Sequence, residues 1–165
     1  MHPVHHRVHH KDLATLLEVA RPRSLLLIDP EHDPLPPTTL PADCQRTHLT
    51  DNILATLDEQ ARFDLAVVAN TLEYLDRRTA GILLARLRDV QAHRLIVLVP
   101  LGHRWEALRS YWRTADLLSY GMTILSCYQV EGKPLQLFHY TIESYKTTPE
   151  WFNSRHWANP EHWRP

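Results

Sequence analysis

Three short stretches of this chain are apolar almost throughout: Ser24 to Asp29 (Ser-Leu-Leu-Leu-Ile-Asp), Phe63 to Asn70 (Phe-Asp-Leu-Ala-Val-Val-Ala-Asn) and Arg94 to Pro100 (Arg-Leu-Ile-Val-Leu-Val-Pro). A strand with one wet face alternates apolar and polar residues. A short run without that alternation points to a strand buried on both faces, as in a parallel sheet with cover on each side.

The segments between these runs carry helical spacing. Residues 11–20 place Leu13, Leu16, Leu17 and Ala20 at offsets of three and four, and Pro22 ends the pattern. Residues 51–61 do the same with Ile53, Leu54, Leu57 and Ala61, behind Thr50 or Asp51 as N-cap. Residues 76–92 align Ala80, Leu83, Leu84, Leu87 and Val90. Residues 104–119 align Trp105, Leu108, Trp112, Ala115 and Leu118, with Gly121 placed to end a helix. Residues 44–49 read as a short strand, and residues 122–130 and 135–145 as a hairpin around Glu131-Gly132-Lys133. Five prolines between Pro30 and Pro41 prevent a helix there. The expectation is an α/β fold: a Rossmann-like three-layer sandwich whose mostly parallel sheet of about six strands ends in an antiparallel hairpin.

Composition narrows the chemistry. The 165 residues include four glycines, Gly81, Gly102, Gly121 and Gly132, no two of them close together. A dinucleotide turn, a phosphate loop and a nucleophile elbow all need closely spaced glycines, because the backbone must approach a ligand or turn sharply without a Cβ in the way. The net charge of -1 argues against nucleic acid and acidic lipid as partners. Cys44 and Cys127 form no ligand motif and read as free thiols of a cytoplasmic protein. No apolar run reaches the roughly 20 residues of a membrane span, and no signal peptide is evident.

The chain divides by composition into a His-rich arm (1–10), an α/β domain (11–145) and a Trp-rich tail (146–165). Clustered imidazoles would suit Zn, Ni or Cu, but the arm reads first as a polar terminus, and no metal site is expected. The tail carries Trp151, Trp157 and Trp163. They would pack on the chain's own sheet edge or on a partner subunit, giving a homodimer, more readily than stack on a ligand.

In an open α/β sheet, ligands sit at the carboxyl ends of the strands. That rule selects Asp29, Glu31, Asp51, Asn70, Thr71, Glu73 and the turn Pro100-Leu101-Gly102-His103. Each has a structural alternative. Asn70 and Glu73 would cap the next helix, and Asp29 would close a strand-end turn. His103 would sit in a helix N-terminal turn; its alternative is a general base.

Four segments together resemble the class I S-adenosylmethionine-dependent methyltransferases: Arg21 to Asp29 with its lead-in helix, Phe63 to Leu75, Arg94 to Gly102, and Ala115 to Ile124. The resemblance spans about residues 11–145 and is one of order and spacing. It implies S-adenosylmethionine as cofactor, with Asp51 as the acid near the adenine, and a small molecule as substrate. Two departures stand against ordinary catalysis. The family's first strand runs into a glycine-rich turn, whereas here Asp29 runs into Pro30-Glu31-His32-Asp33-Pro34. The interval from Asp29 to Asp64 is 35 residues, too short for two strand–helix units. The expected function is therefore an atypical binding or scaffolding domain, with an active small-molecule methyltransferase as the alternative.

Overall fold

The computed structural model describes residues 9–30, 35 and 40–143. Four helices and six strands follow in the order α1 (His10–Ala20), β1 (Ser24–Ile28), β2 (Gln45–Leu49), α2 (Ile53–Leu57), β3 (Phe63–Val68), α3 (Arg77–Arg86), β4 (Ala92–Pro100), α4 (Thr114–Ser119), β5 (Thr123–Val130) and β6 (Lys133–Thr141). The strands form one sheet in the order β2-β1-β3-β4-β6-β5. β2, β1, β3 and β4 are parallel, while β6 lies antiparallel to β4 and β5 antiparallel to β6.

The three apolar runs are the sheet's centre. Leu25, Leu26, Leu27 and Ile28 of β1 are all fully buried, each worth roughly 2 kcal/mol of burial. Their alternation sorts them onto two faces. Leu26 and Ile28 join a core with Val68, Leu83, Leu84, Val97 and Phe138. Leu25 and Leu27 join another with Leu13, Leu17, Val67, Leu98 and Leu137. Helices α2, α3 and α4 cover the first face, through Leu57, Leu83 and Leu117 among others. α1 covers the second, together with Leu35 and Leu40 of the proline-rich connection. Among the described residues of that connection there is no helix. β2, mostly exposed and polar, makes a suitable edge strand.

Three helices differ from their periodicity. The 51–61 pattern yields five helical residues, α2. Its chain then tightens into three-residue turns, Asp58 N–H to Ala55 O, Glu59 N–H to Thr56 O and Gln60 N–H to Leu57 O, and so reaches β3 in time. Neither Thr50 nor Asp51 caps it; Asn52 occupies the N-cap with φ 43°. The 76–92 pattern becomes α3 followed by a π turn, Leu87–Gln91. One wider turn shifts the phase of the stripe. Val90, expected inside, is 56% exposed, and Gln91 is buried in its place with its amide donating to Leu57 O at 2.7 Å.

The helix expected over 104–119 forms only from Thr114. Its indoles belong to opposite faces of the sheet: Trp105 packs with α1's core and Trp112 with that of α3. The chain therefore wraps over the carboxyl edge of β4, with Gly102 at φ 78° and Ala107 at φ 58°. The hairpin closes as read, with Glu131 at φ 51° and Gly132 at φ 73°, the double left-handed turn that matches strand twist.

Candidate functional site

The parallel strands bring their carboxyl ends together in one row. Asp29, directly after β1, is fully buried. Asn70, two residues past β3, donates from its side-chain amide to Asp29 Oδ2 at 3.0 Å and adopts φ 47° to do so. Thr71 donates its hydroxyl to Ala69 O at 2.7 Å and approaches Ile28 O at 3.3 Å. His48 of β2 reaches the carbonyl of Asp29 at 2.9 Å. These bonds stitch the ends of β1, β2 and β3 into a fixed floor.

Above that floor lies a cavity of about 470 Å³. Pro30 contributes from the end of β1, and Thr50, Asp51 and Asn52 from the end of β2. Ile53 and Leu54 of α2, then Thr71, Tyr74 and Leu75 beyond β3, complete most of the wall. The lining is chiefly apolar, and among the described residues it includes no Arg, Lys or His. Tyr74 is 37% exposed, so its ring is open to a ligand. Asp51 is exposed at the β2 end. The volume lies within the roughly 300–1,000 Å³ of small-molecule sites.

The candidates drawn from the sequence separate here. Asp51 and Thr71 line the cavity. Asp29 and Asn70 lie buried at the strand ends, bonded to each other, and form no part of its wall. Glu73 is buried in a 3₁₀ turn, Leu72–Tyr74, and its carbonyl receives the amides of Arg109 and Ser110. Glu31 lies outside the described residues, as do positions 1–8 of the His-rich arm and the whole Trp-rich tail, 146–165. Neither Asn70 nor Glu73 caps α3. Asp76 does so, accepting from Thr79 N–H at 2.9 Å and from the Thr79 hydroxyl at 2.6 Å. The Thr79 hydroxyl and amide hold the Asp76 carboxyl below the usual carboxylate range. His103 is in the irregular segment after β4, not in a helical turn, and its ring lies 4.8 Å from that of Tyr111.

Ile53, Leu54, Tyr74 and Leu75 were missed because apolar residues near helix starts look like core. Their signal was position: each follows a strand's carboxyl end closely, Ile53 and Leu54 after β2 and Tyr74 and Leu75 after β3, on the face that α2 and α3 share.

The strand order, the covering layers and the row of strand ends define a class. This is the fold of the class I S-adenosylmethionine-dependent methyltransferases. The methyltransferase domain of bacterial CtHen1 superposes with a TM-score of 0.54 at 12% identity, covering 80% of this chain and 96% of that one. The 1,6-didemethyltoxoflavin-N1-methyltransferase of Burkholderia thailandensis, solved with 1,6-didemethyltoxoflavin and S-adenosylhomocysteine, gives 0.54 at 14%, covering 78% and 76%. Magnesium protoporphyrin IX methyltransferase of Synechocystis PCC 6803, solved with S-adenosylmethionine, gives 0.50 at 9%, covering 78% and 76%. At these identities the likeness is one of fold. A search of curated protein sequences finds no match. The chain itself belongs to the family of unknown function DUF6231, whose profile matches residues 7–164. Among the described residues no helix is long and apolar enough to cross a membrane.

Proposed function

We propose that this chain is a binding domain for S-adenosyl ligands, holding S-adenosylmethionine or S-adenosylhomocysteine in the cavity at the ends of β1, β2 and β3. The observation that carries the reading is the cavity itself: it is open where the fold places ligands, and the described part of the proline-rich connection does not fill it. Leu35 and Leu40 pack with α1's core, on the opposite face from α2 and α3.

The lining suits the ligand's chemistry. A nucleoside offers a flat aromatic base and a vicinal diol. Tyr74 and the aliphatic side chains of Ile53, Leu54 and Leu75 suit the base. Asp51 at the end of β2 suits the diol, as an acceptor for two hydroxyl donors. Asp51, the charged group among the described lining residues, favours a cationic sulfonium over a phosphate. The polar groups buried at the strand ends, Asp29 and Asn70, serve each other. Position 30 is a proline in a stretch without glycine up to Gly81, so the ligand's amino-acid part is held otherwise than by a glycine turn.

Calorimetric titration with both ligands tests this. Saturable binding is expected, weakened roughly tenfold in Asp51→Ala by loss of a charge-assisted hydrogen-bond acceptor. Absence of binding by either ligand would sink the reading. Conversion of S-adenosylmethionine to S-adenosylhomocysteine during the titration would instead make the protein a working methyltransferase.

A further inference from the structure

A second cavity, also of about 470 Å³, opens at the carboxyl end of β4. Among the described residues its walls carry three arginines, Arg77, Arg109 and Arg113, against one acid, Asp116. Three positive charges less one negative leave +2, in a chain whose net charge is -1. From this cleft we infer a second site, distinct from the nucleoside cavity, that binds a small ligand through an oxyanion group, carboxylate or phosphate.

Asp116 offsets one of the three positive charges, and its oxygens are already occupied. Oδ1 pairs with Arg77 Nη2 at 2.9 Å, and Oδ2 accepts from Arg113 N–H at 2.8 Å. Burial pushes its pKa up, but the hydrogen bonds from Arg77 and Arg113 outweigh this and leave it lowered. Arg77 is the fixed post. Its guanidinium lies 3.8 Å from the centre of the Trp112 ring and also donates to Tyr111 O at 2.7 Å. Arg113 touches Asp116 only at 3.4 Å with its guanidinium, and that side chain is 76% exposed. Arg109 is exposed at the same wall, where its charge also helps to lower the pKa of Asp76. Guanidinium groups bind carboxylate and phosphate in a two-pronged geometry that lysine cannot reproduce.

These arginines do not form a solvated helix face. They converge on a concavity, and the chain presenting two of them is clamped. Gly102 N–H donates to Trp112 O, Ser110 Oγ to Leu72 O at 2.8 Å, and Trp112 Nε1 to Ser110 Oγ at 3.0 Å. Arg109 and Ser110 both donate their amides to Glu73 O. Thirteen residues of irregular chain between β4 and α4, with a non-glycine residue at φ 58°, are held this firmly at the edge where the fold places ligands. His103 and Tyr111 add a ring pair at the cleft wall.

The test is a titration at low ionic strength, read by the arginine side-chain N–H resonances. Four probes are used: inorganic phosphate, pyrophosphate, acetate and citrate. Saturable shifts at Arg109 and Arg113 are expected with at least one probe, and a roughly tenfold loss of affinity in Arg109→Gln/Arg113→Gln. Both side chains are exposed, so the double variant should keep the wild-type circular dichroism. Saturation by the phosphates alone assigns a phosphoryl ligand; saturation by citrate or acetate alone assigns a carboxylate. The proposal fails if no probe saturates, or if Arg86→Gln, on α3 outside the cleft and paired with Asp58, weakens binding as much. No nucleoside enters this experiment, so its outcome and that of the S-adenosyl titration are independent.

Discussion

Asn70 shows how one residue can look like a ligand contact and serve the scaffold. Its side chain satisfies the buried Asp29 carboxyl, and it does so from φ 47°, where a Cβ is ordinarily unwelcome. The two contributions separate by substitution. Asn70→Gly loses the hydrogen bond but keeps the left-handed backbone at no steric cost, and should destabilise by about 1–2 kcal/mol. Asn70→Ala loses the bond and adds backbone strain, for about 1 kcal/mol more. Urea midpoints with unchanged slopes measure both; equal losses would mean that the strain is negligible. His139 on β6 supplies a pH effect. Burial, with help from Arg94, holds its pKa below the usual imidazole value of 6.5. The unfolded chain then takes up a proton that the folded one refuses. Stability is complete above pH 6.5, falls as pH drops below it, and levels off beneath the folded pKa. Wild type should therefore lose more stability than His139→Gln between about pH 8 and about pH 5. Parallel curves for the two proteins would refute this.

At the level of elements, legibility followed how local the determinant was. β1, β3 and β4 were readable because a strand buried on both faces carries its whole signal in consecutive residues. The β5–β6 hairpin was readable because Gly132 lies at a left-handed turn position between two strands. The segment after β4 was misread for an equally physical reason. Trp105, Leu108 and Trp112 have helical spacing, yet Trp105 belongs to one face of the sheet and Trp112 to the other. Periodicity reports that residues are buried, not that they are buried together. The hydrogen bonds of the two indoles, Trp105 to Leu101 O and Pro134 O and Trp112 to Ser110 Oγ, help fix where each is anchored. The π turn after α3 is a similar case: no residue between Leu87 and Gln91 announces it, and it ends on Gln91, whose amide reaches Leu57 O. The candidate site was half legible. Position after a strand gave Asp51 and Thr71, while the aliphatic wall needed the packing of α2 against α3.

For the whole molecule, the short connection between β1 and β3 decides what the fold is able to hold. α1, with Leu35 and Leu40 of the proline-rich stretch, covers one face of the sheet. On the other face, α2 is only five residues long and starts just past the carboxyl end of β2, with Ile53, Leu54 and Ala55 lining the open cavity. A ligand that binds there joins α2, the β3 turn and α3, three elements that otherwise meet mainly through Leu57, Leu72 and Leu83. It should therefore stabilise the folded chain as a unit. At a concentration about a hundredfold above its dissociation constant, S-adenosylhomocysteine should add about 2.7 kcal/mol. For a chain of this size that raises Tm by roughly 5–10 °C. Ala55 is exposed and lines the same cavity, so Ala55→Trp places an indole in the ligand's space while leaving the core intact. The variant's own Tm should stay close to wild type, because surface substitutions cost about 0.5 kcal/mol or less. Its response to the ligand should disappear. A full shift in Ala55→Trp would place the ligand elsewhere on the molecule, and the arginine cleft after β4 would then be the first place to look.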